Sequence, residues 1–495
     1  MKFVKSVHVA NAAAATLSGV VAPKDLNVDS QSSIRNVAAT IAHGTMAYYS
    51  GNTTDPNSRN FGSVKQPYYW WVAGALWGAM LDYYYYTTDA SYNPSLLQAL
   101  LAPTNLGANK DFMPEAHADE EGNDDLSVWT SVVMSAAERN FPQPNPNLPS
   151  WLQMSSNVFN QLVGRWDTAH CNGGLFWQIY ASNPNGLKYK NSIANGGLFQ
   201  LAARLASATG NQTYLQWAEK TWDWNMEIGF IDSQTYRVYD GAGIDSGCKD
   251  VNKKSFSYTQ GYFLYGAAVM SNYTGQEKWA QRTEQLLDEA AAYFFTGKDK
   301  NIMWEPACEP QGICNYDMIT FKGFLSRFMW QTAQVMPKLR PKIEALLVPT
   351  AKAAAATCTG GPDGHQCGIK WYAGGYDDGA TLGAQMCALQ TISGLLSRDS
   401  QAPLKAQDIK WVKDSNFKPI DTYANEAISS SSLGSSSSSK RDVSPPTVQT
   451  QAPAPPPAQQ NDKVQNKSEA SILAGSDLAL MTVILSTVLA VRGWV

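Results

Sequence analysis

Gly197-Leu198-Phe199-Gln200-Leu201-Ala202-Ala203, a turn at Gly210-Asn211, and then Tyr214-Leu215-Gln216-Trp217-Ala218 form the stretch that decides the fold. Apolar residues recur three and four apart on both sides of a Gly-Asn break, which is the pattern of two helices joined by a tight turn. The pattern returns as Gly261-Tyr262-Phe263-Leu264-Tyr265-Gly266-Ala267, a turn at Gly275-Gln276, and Trp279-Ala280-Gln281-Arg282. The two segments read as copies of one helical hairpin. Weaker echoes lie at 71–86, 126–166, 321–356 and 382–397, and about twelve helices fit between 34 and 396. Six hairpins close into a ring with first helices inside and second helices outside, and Ala202, Ala203, Ala267 and Ala268 let inner helices approach closely. The expected class is all-α, an (α/α)6 barrel; an open helical solenoid satisfies the same periodicity.

Apolar and aromatic residues are spread evenly from 44 to 396, which favours one large domain, set at 23–405. A net charge of -4 with 16% charged residues leaves no basic stripe, so nucleic acid is excluded as a partner. Sixteen Trp and twenty-three Tyr fill a core and leave ring faces on which sugars can stack.

The chain ends read as processing signals. Lys2 and Lys5 precede a small apolar run over 7–22, giving a signal peptide at 1–22. Residues 406–467 form a linker and a Ser/Pro/Gln-rich stalk too poor in apolar residues to fold. Small residues at Ser468 and Ala470 and the apolar run 478–491 match a glycosylphosphatidylinositol (GPI) attachment signal at 468–495, with Asn466 and Gly475 as alternative sites. A transmembrane helix is the rival, but the run is shorter than the roughly 20 residues needed to span a bilayer. Sequons at Asn52, Asn211, Asn272 and Asn466 agree with secretion. In an oxidising compartment Cys308 with Cys314, and Cys358 with Cys367, close short loops; Cys171 with Cys248 is only a guess from what remains, and Cys387 stays inside a helix as a small buried residue.

The segment richest in chemistry is Asp119-Glu120-Glu121-Gly122-Asn123-Asp124-Asp125, followed by apolar residues at Leu126, Trp129, Val132, Val133 and Ala136. Asp124 and Asp125 therefore stand where an inner helix begins. One reading makes them caps for the free amides of the first turn. The other places them at the mouth of the ring, where two close carboxylates cannot both ionise freely and so supply an acid and a nucleophile at one pH. A separation near ~5 Å would suit retention of configuration. A second adjacent pair, Asp377 and Asp378, lies among glycines and reads as a turn or a helix start.

Gly122-Asn123-Asp124-Asp125 followed by Met134-Ser135-Ala136-Ala137-Glu138 resembles the paired-aspartate motif of glycoside hydrolase family 76. Trp70-Trp71, Gly173-Gly174 with Trp177-Gln178, Tyr189-Lys190-Asn191-Ser192, Asn195-Gly196-Gly197, Val238-Tyr239-Asp240-Gly241, Tyr258 with Gln260-Gly261, Phe321-Lys322-Gly323 with Arg327, and Gln385-Met386-Cys387 resemble its fungal, Dfg5/Dcw1-type branch. The resemblance implies an (α/α)6 fold, Asp124 as nucleophile and Asp125 as general acid/base. It also implies a GPI-anchored mannan endo-1,6-α-mannosidase type that transfers GPI-linked mannoproteins from the outer plasma membrane to wall glucan. Two positions depart from the branch: Val72 where an acidic residue is expected, and Phe176 where an Arg is expected.

Around the pair, Gln178, Asn191, Asn195, Asp240, Tyr258 and Gln260 are candidates to hydrogen-bond sugar hydroxyls, and Trp70, Trp71 and Trp177 to stack on sugar faces; helix or loop capping is the alternative for each polar residue. His117, His170 and His365 show no zinc-ligand spacing, so neither metal nor cofactor is expected. The expected function is a retaining cell-wall glycosidase or transglycosylase acting on the GPI core glycan or on α-1,6-mannan, with wall glucan as acceptor. Hydrolysis of α-1,6-mannan and a catalytically silent mannan-binding glycoprotein are the alternatives.

Overall fold

The computed structural model describes residues 22–51, 55–183 and 186–410. These lie in the first of two contact units, Met1–Gly434, and the second, Ser435–Val495, falls outside them. All of the expected signal segment but its last residue, the Ser/Pro-rich stalk, the attachment signal and the Asn52 and Asn466 sequons lie outside the described residues.

Thirteen α-helices occur among the described residues: α1 (Gln31–Met46), α2 (Trp70–Thr87), α3 (Asn93–Leu101), α4 (Pro103–Leu106), α5 (Asn123–Glu138), α6 (Trp151–Gly164), α7 (Ser192–Thr209), α8 (Gln212–Glu227), α9 (Ser257–Thr274), α10 (Glu277–Tyr293), α11 (Tyr316–Val335), α12 (Arg340–Thr357) and α13 (Leu382–Ser393). The hairpin at 197–218 is α7–α8, and its copy is α9–α10. Both turn on a left-handed glycine, Gly210 at φ 73° and Gly275 at φ 67°, a conformation open to glycine at no steric cost.

Neighbour contacts run α2 to α5, α5 to α7, α7 to α9, α9 to α11, α11 to α13 and back from α13 to α2, so six inner helices close a ring. The closure excludes the open solenoid. Outside it, α3, α6, α8, α10 and α12 each pack on the preceding inner helix, and α1 covers the seam between α13 and α2. The sixth hairpin is thus assembled from the two ends of the domain. Inner helices touch nearly backbone to backbone: a methyl group at Gly197 would lie 2.0 Å from the Ser127 hydroxyl, and one at Gly261 3.1 Å from the Leu325 Cα. Ala202, Ala203, Ala267 and Ala268 are fully buried along the same seams.

A three-stranded antiparallel sheet, β1 (Tyr189–Asn191), β2 (Gly241–Gly243) and β3 (Val251–Asn252), lies at the end of the ring where the inner helices start. A separate ribbon pairs β4 (Phe295–Thr296) with β5 (Ile302–Met303). Disulfides join Cys171 to Cys248, Cys308 to Cys314 and Cys358 to Cys367. Cys387 is a buried free thiol pushed up to about 12 by burial.

Candidate active site

Five inner helices send their first residues into one cleft of about 590 Å³: Tyr69 and Trp71 at the start of α2, Asp124 and Asp125 of α5, Asn191 before α7, Phe256 and Tyr258 of α9, and Asn315 and Asp317 of α11. The positive ends of these helix dipoles converge there and favour negative charge.

Asp124 and Asp125 are not the caps of α5. Gly122 is the N-cap, and Asp125, at the third helical position, reaches back to accept the Gly122 N–H at 2.5 Å. Asp125 therefore closes half of a capping box while facing the cleft, so the two sequence readings coexist. The start of α5 is tied to the segment 176–178: Gly122 pairs with Gln178, the Asn123 N–H donates to the Trp177 carbonyl at 2.9 Å, and the Asn123 Nδ2 donates to the Phe176 carbonyl at 2.9 Å. The other edge of 176–178 runs along β1, where the Trp177 N–H donates to the Tyr189 carbonyl at 2.8 Å. A ribbon thus runs from α5 through Trp177 into the three-stranded sheet. Alternation along β1 turns Tyr189 and Asn191 to the cleft and buries Lys190 behind it, where its Nζ meets Asp167 at 2.8 Å.

Burial raises Asp124 to about 7, against hydrogen bonds from its own backbone, Asn191, the Asp125 N–H and Trp177. Asp125 is raised well above the carboxylate range by burial and then by the Asp124 charge, with Asp317 and Glu120 adding to it. One member of the pair can therefore carry charge while its neighbour keeps a proton, the two states that a nucleophile and a general acid need. Asp240 is also raised by burial, and accepts from the Tyr189 hydroxyl at 2.7 Å and the Asn252 amide at 3.0 Å.

Of the other candidates, Trp71, Trp177, Gln178, Asn191, Asp240 and Tyr258 line the cleft. Trp70, Asn195 and Gln260 do not. Trp70 is buried between the His117 ring and Trp129, and its indole N–H goes to Asn105. Asn195 binds both backbone polar groups of Leu175, and Gln260 bridges Val238, Tyr236 and Leu286. Each is turned away from the cleft: Trp70 packs on α5, Asn195 holds the loop at Leu175, and Gln260 ties the 236–238 loop to α10. The two departures from the branch pattern also lie off the cleft: Val72 is buried in α2, and the Phe176 ring packs over the Lys190 ammonium. Asp377 accepts the Ile369 and Lys370 N–H groups and shapes a loop. Asn211 caps α8, while the Asn272 amide donates to the Val335 carbonyl.

Sequence reasoning passed over Glu120, Asp317 and Phe321 as site residues. Glu120 stood in the acidic run, and Phe321 in a quoted motif. Asp317 had the weakest signal, an Asn-x-Asp helix start at Asn315. Glu120 is held as an anion: burial opposes this, but His117 at 2.7 Å and Arg59 at 2.6 Å outweigh it. The parallel Tyr258 and Phe321 rings, 3.8 Å apart, wall the cleft beside Trp71.

A closed six-hairpin ring with adjacent aspartates at the mouth defines a glycosidase of the (α/α)6 class. Residues 33–407 match the glycosyl hydrolase family 76 model, and the chain belongs to that family. It is 42% identical over 369 residues to the mannan endo-1,6-α-mannosidase DCW1 of Candida glabrata, covering 74% of this chain and 80% of that one. It is also similar to Dfg5 from Chaetomium thermophilum, crystallised in complex with glucosamine, at 35% identity and a TM-score of 0.74 over 81% of this chain and 97% of that one. The fold recurs in an inactive α-1,6-mannanase variant from Salegentibacter sp. HEL1_6 in complex with α-1,6-mannotriose, at 18% identity, a TM-score of 0.58, and 73% and 99% coverage.

Proposed function

We propose that this chain is a retaining glycosidase acting on α-1,6-linked mannose glycans, with Asp124 as nucleophile and Asp125 as general acid/base. The observation that carries the reading is the pair itself: adjacent carboxylates on one cleft floor, both raised by burial, with Asp125 raised further by the Asp124 charge. Asp125 gives its proton to the leaving glycosidic oxygen as the bond from C1 to that oxygen breaks and C1 bonds to Asp124. Asp125 then takes a proton from the incoming hydroxyl as that oxygen attacks C1 and frees Asp124. Trp71, Trp177 and Tyr258 supply aromatic faces, and Gln178, Asn191 and Asp240 polar groups, for the flanking sugars.

We further infer transfer rather than hydrolysis: the GPI core glycan is the donor, wall glucan the acceptor, and the protein acts from a GPI anchor on the outer plasma membrane and wall. The glucosamine bound by the Chaetomium relative supports a donor of this kind, and the Ser/Pro-rich stalk with its terminal apolar run supports the anchor. Product analysis with and without a glucan oligosaccharide tests transfer; free reducing mannosides alone in both cases leave hydrolysis of α-1,6-mannan as the function. Full complementation of a null strain by Asp124→Asn and by Asp125→Asn would instead leave a mannan-binding glycoprotein. Phosphatidylinositol-specific phospholipase C should release the protein from membranes, and peptides from 478–491 in the mature protein would refute the anchor.

A further inference from the structure

Among the described residues, every charged side chain lining the cleft is acidic: Asp119, Glu120, Asp124, Asp125, Asp240 and Asp317. Most of these have an assigned partner or task. Arg59 pairs with Asp119 and Glu120 at 2.9 and 2.6 Å, Tyr189 and Asn252 donate to Asp240, and Asp124 with Asp125 is the reacting pair. Asp317 differs. Its carboxylate has the Trp71 side chain as a hydrogen-bond partner, and among the described residues no cation pairs with it and its Oδ1, shielded from water, has no donor. An under-satisfied buried acceptor is costly and gains most from a ligand that brings a donor and a positive charge.

The surroundings of Asp317 narrow the ligand. It is the second residue of α11, whose positive end favours its charged form, and burial raises it only to about 6, leaving it ionised at neutral pH. Trp71 stands beside it, and Phe321, one helical turn further on, stacks on Tyr258. A carboxylate flanked by aromatic walls fits a sugar with an apolar ring face and an ammonium substituent.

We propose that Asp317 reads the free amino group of a 2-amino sugar in the donor glycan, and so is a specificity-determining residue that separates an unacetylated glucosamine from its N-acetylated counterpart. The inference rests on the reading of the donor as a GPI core glycan. An acetamide brings no charge and adds bulk where the ammonium would meet the carboxylate.

Binding is measured by calorimetry at pH 7 on the wild-type protein and on Asp317→Asn, with a mannosyl-glucosamine disaccharide, its N-acetylated form, and α-1,6-mannobiose as neutral control. The wild type should prefer the amine at least tenfold, and Asp317→Asn should lose that preference while mannobiose affinity stays within twofold. Equal loss for all three sugars would make Asp317 a structural residue and overturn the proposal. A preference that survives in Asp317→Asn would place amine recognition elsewhere and overturn it too. If the wild type binds mannobiose but neither amino-sugar disaccharide, the GPI-donor reading falls together with the proposal. If it binds both disaccharides equally, only the proposal falls.

Discussion

A carboxylate moved from water to the floor of a cleft loses hydration that only its charged form needs, and a neighbouring carboxylate adds repulsion to that loss. Asp124 meets the first effect and Asp125 both, so the unfolded chain releases these protons at a lower pH than the folded one. The sign follows. The pair's contribution to stability is complete below the ordinary value of 3.8 and is lost as pH rises through about 7 for Asp124 and through the raised range of Asp125. Asp124→Asn and Asp125→Asn should therefore raise Tm at pH 8, with the gain disappearing near pH 4, while turnover falls by about a thousandfold or more. Thermal scans across pH and turnover on the same samples check this; variants that lose Tm at pH 8 would show that hydrogen bonding outweighs the burial of charge. Asp125→Ala should also cleave a substrate with a good leaving group in the first step and then stall, with azide restoring the second step because an anion needs no general base. Trapping of the glycosyl label on Asp125 instead of Asp124 would reverse the roles.

At the scale of the element, the helices were legible and the ribbon was not. The hairpins announce themselves by local period and by Gly210 and Gly275, whose left-handed turns need no knowledge of the rest of the chain. The strands have two or three residues each and exist only because Gly122, Phe176–178, Tyr189 and Gly241 meet across the mouth, which no local pattern records. For the same reason Trp177, Gln178 and Asn191 are visible in the sequence only as parts of motifs, and Trp70, Asn195 and Gln260, which share those motifs, have side chains engaged with α5, the Leu175 loop and α10 instead of the cleft. The junction of helix and ribbon is Asn123. Its Nδ2 holds the Phe176 carbonyl, and its Oδ1 accepts from the Arg165 Nε at 2.8 Å, so Arg165 fixes which way the amide faces. Asn123→Ala should free Trp177 from Asp124 and lower kcat/KM about 10–100-fold, because small displacements of a positioning group have effects of that order. The ascending limb of the pH profile should move upward as Asp124 loses the Trp177 bond. A drop in Tm with an unmoved pH profile would reduce Asn123 to a purely structural role.

For the whole molecule, the question is what holds six nearly apolar helices in one register around a polar axis. Arg327 of α11 donates to Asp82 of α2 at 2.6 Å, and Arg139, just past α5, pairs with the other Asp82 oxygen. Arg204 of α7 grips Glu138 at 2.8 and 3.0 Å, and Ser135 accepts from both Arg204 and Arg327. All of these side chains are buried, so one network ties α2, α5, α7 and α11 across the ring. Arg327 was visible in the sequence as part of a motif, but its partner was not, since Asp82 lies 245 residues away. The network sits about 16 Å along α2 from Trp71, well below the cleft. Asp82→Ala leaves two buried guanidinium groups without their counter-ion and should cost about 3–5 kcal/mol. Turnover per folded molecule should stay close to wild type at low temperature, because no cleft residue loses a partner. The discriminating variant replaces all three charges with apolar residues of similar size, Asp82→Leu with Arg139→Met and Arg327→Met. If the charges act mainly by avoiding their own unpaired burial, the triple variant should recover most of the lost stability, and urea unfolding monitored by tryptophan fluorescence would show the midpoint return. If instead the network fixes helix register, the triple variant should remain folded yet lose activity, as Asp124, Asp317 and Trp71 on three different helices drift from one another.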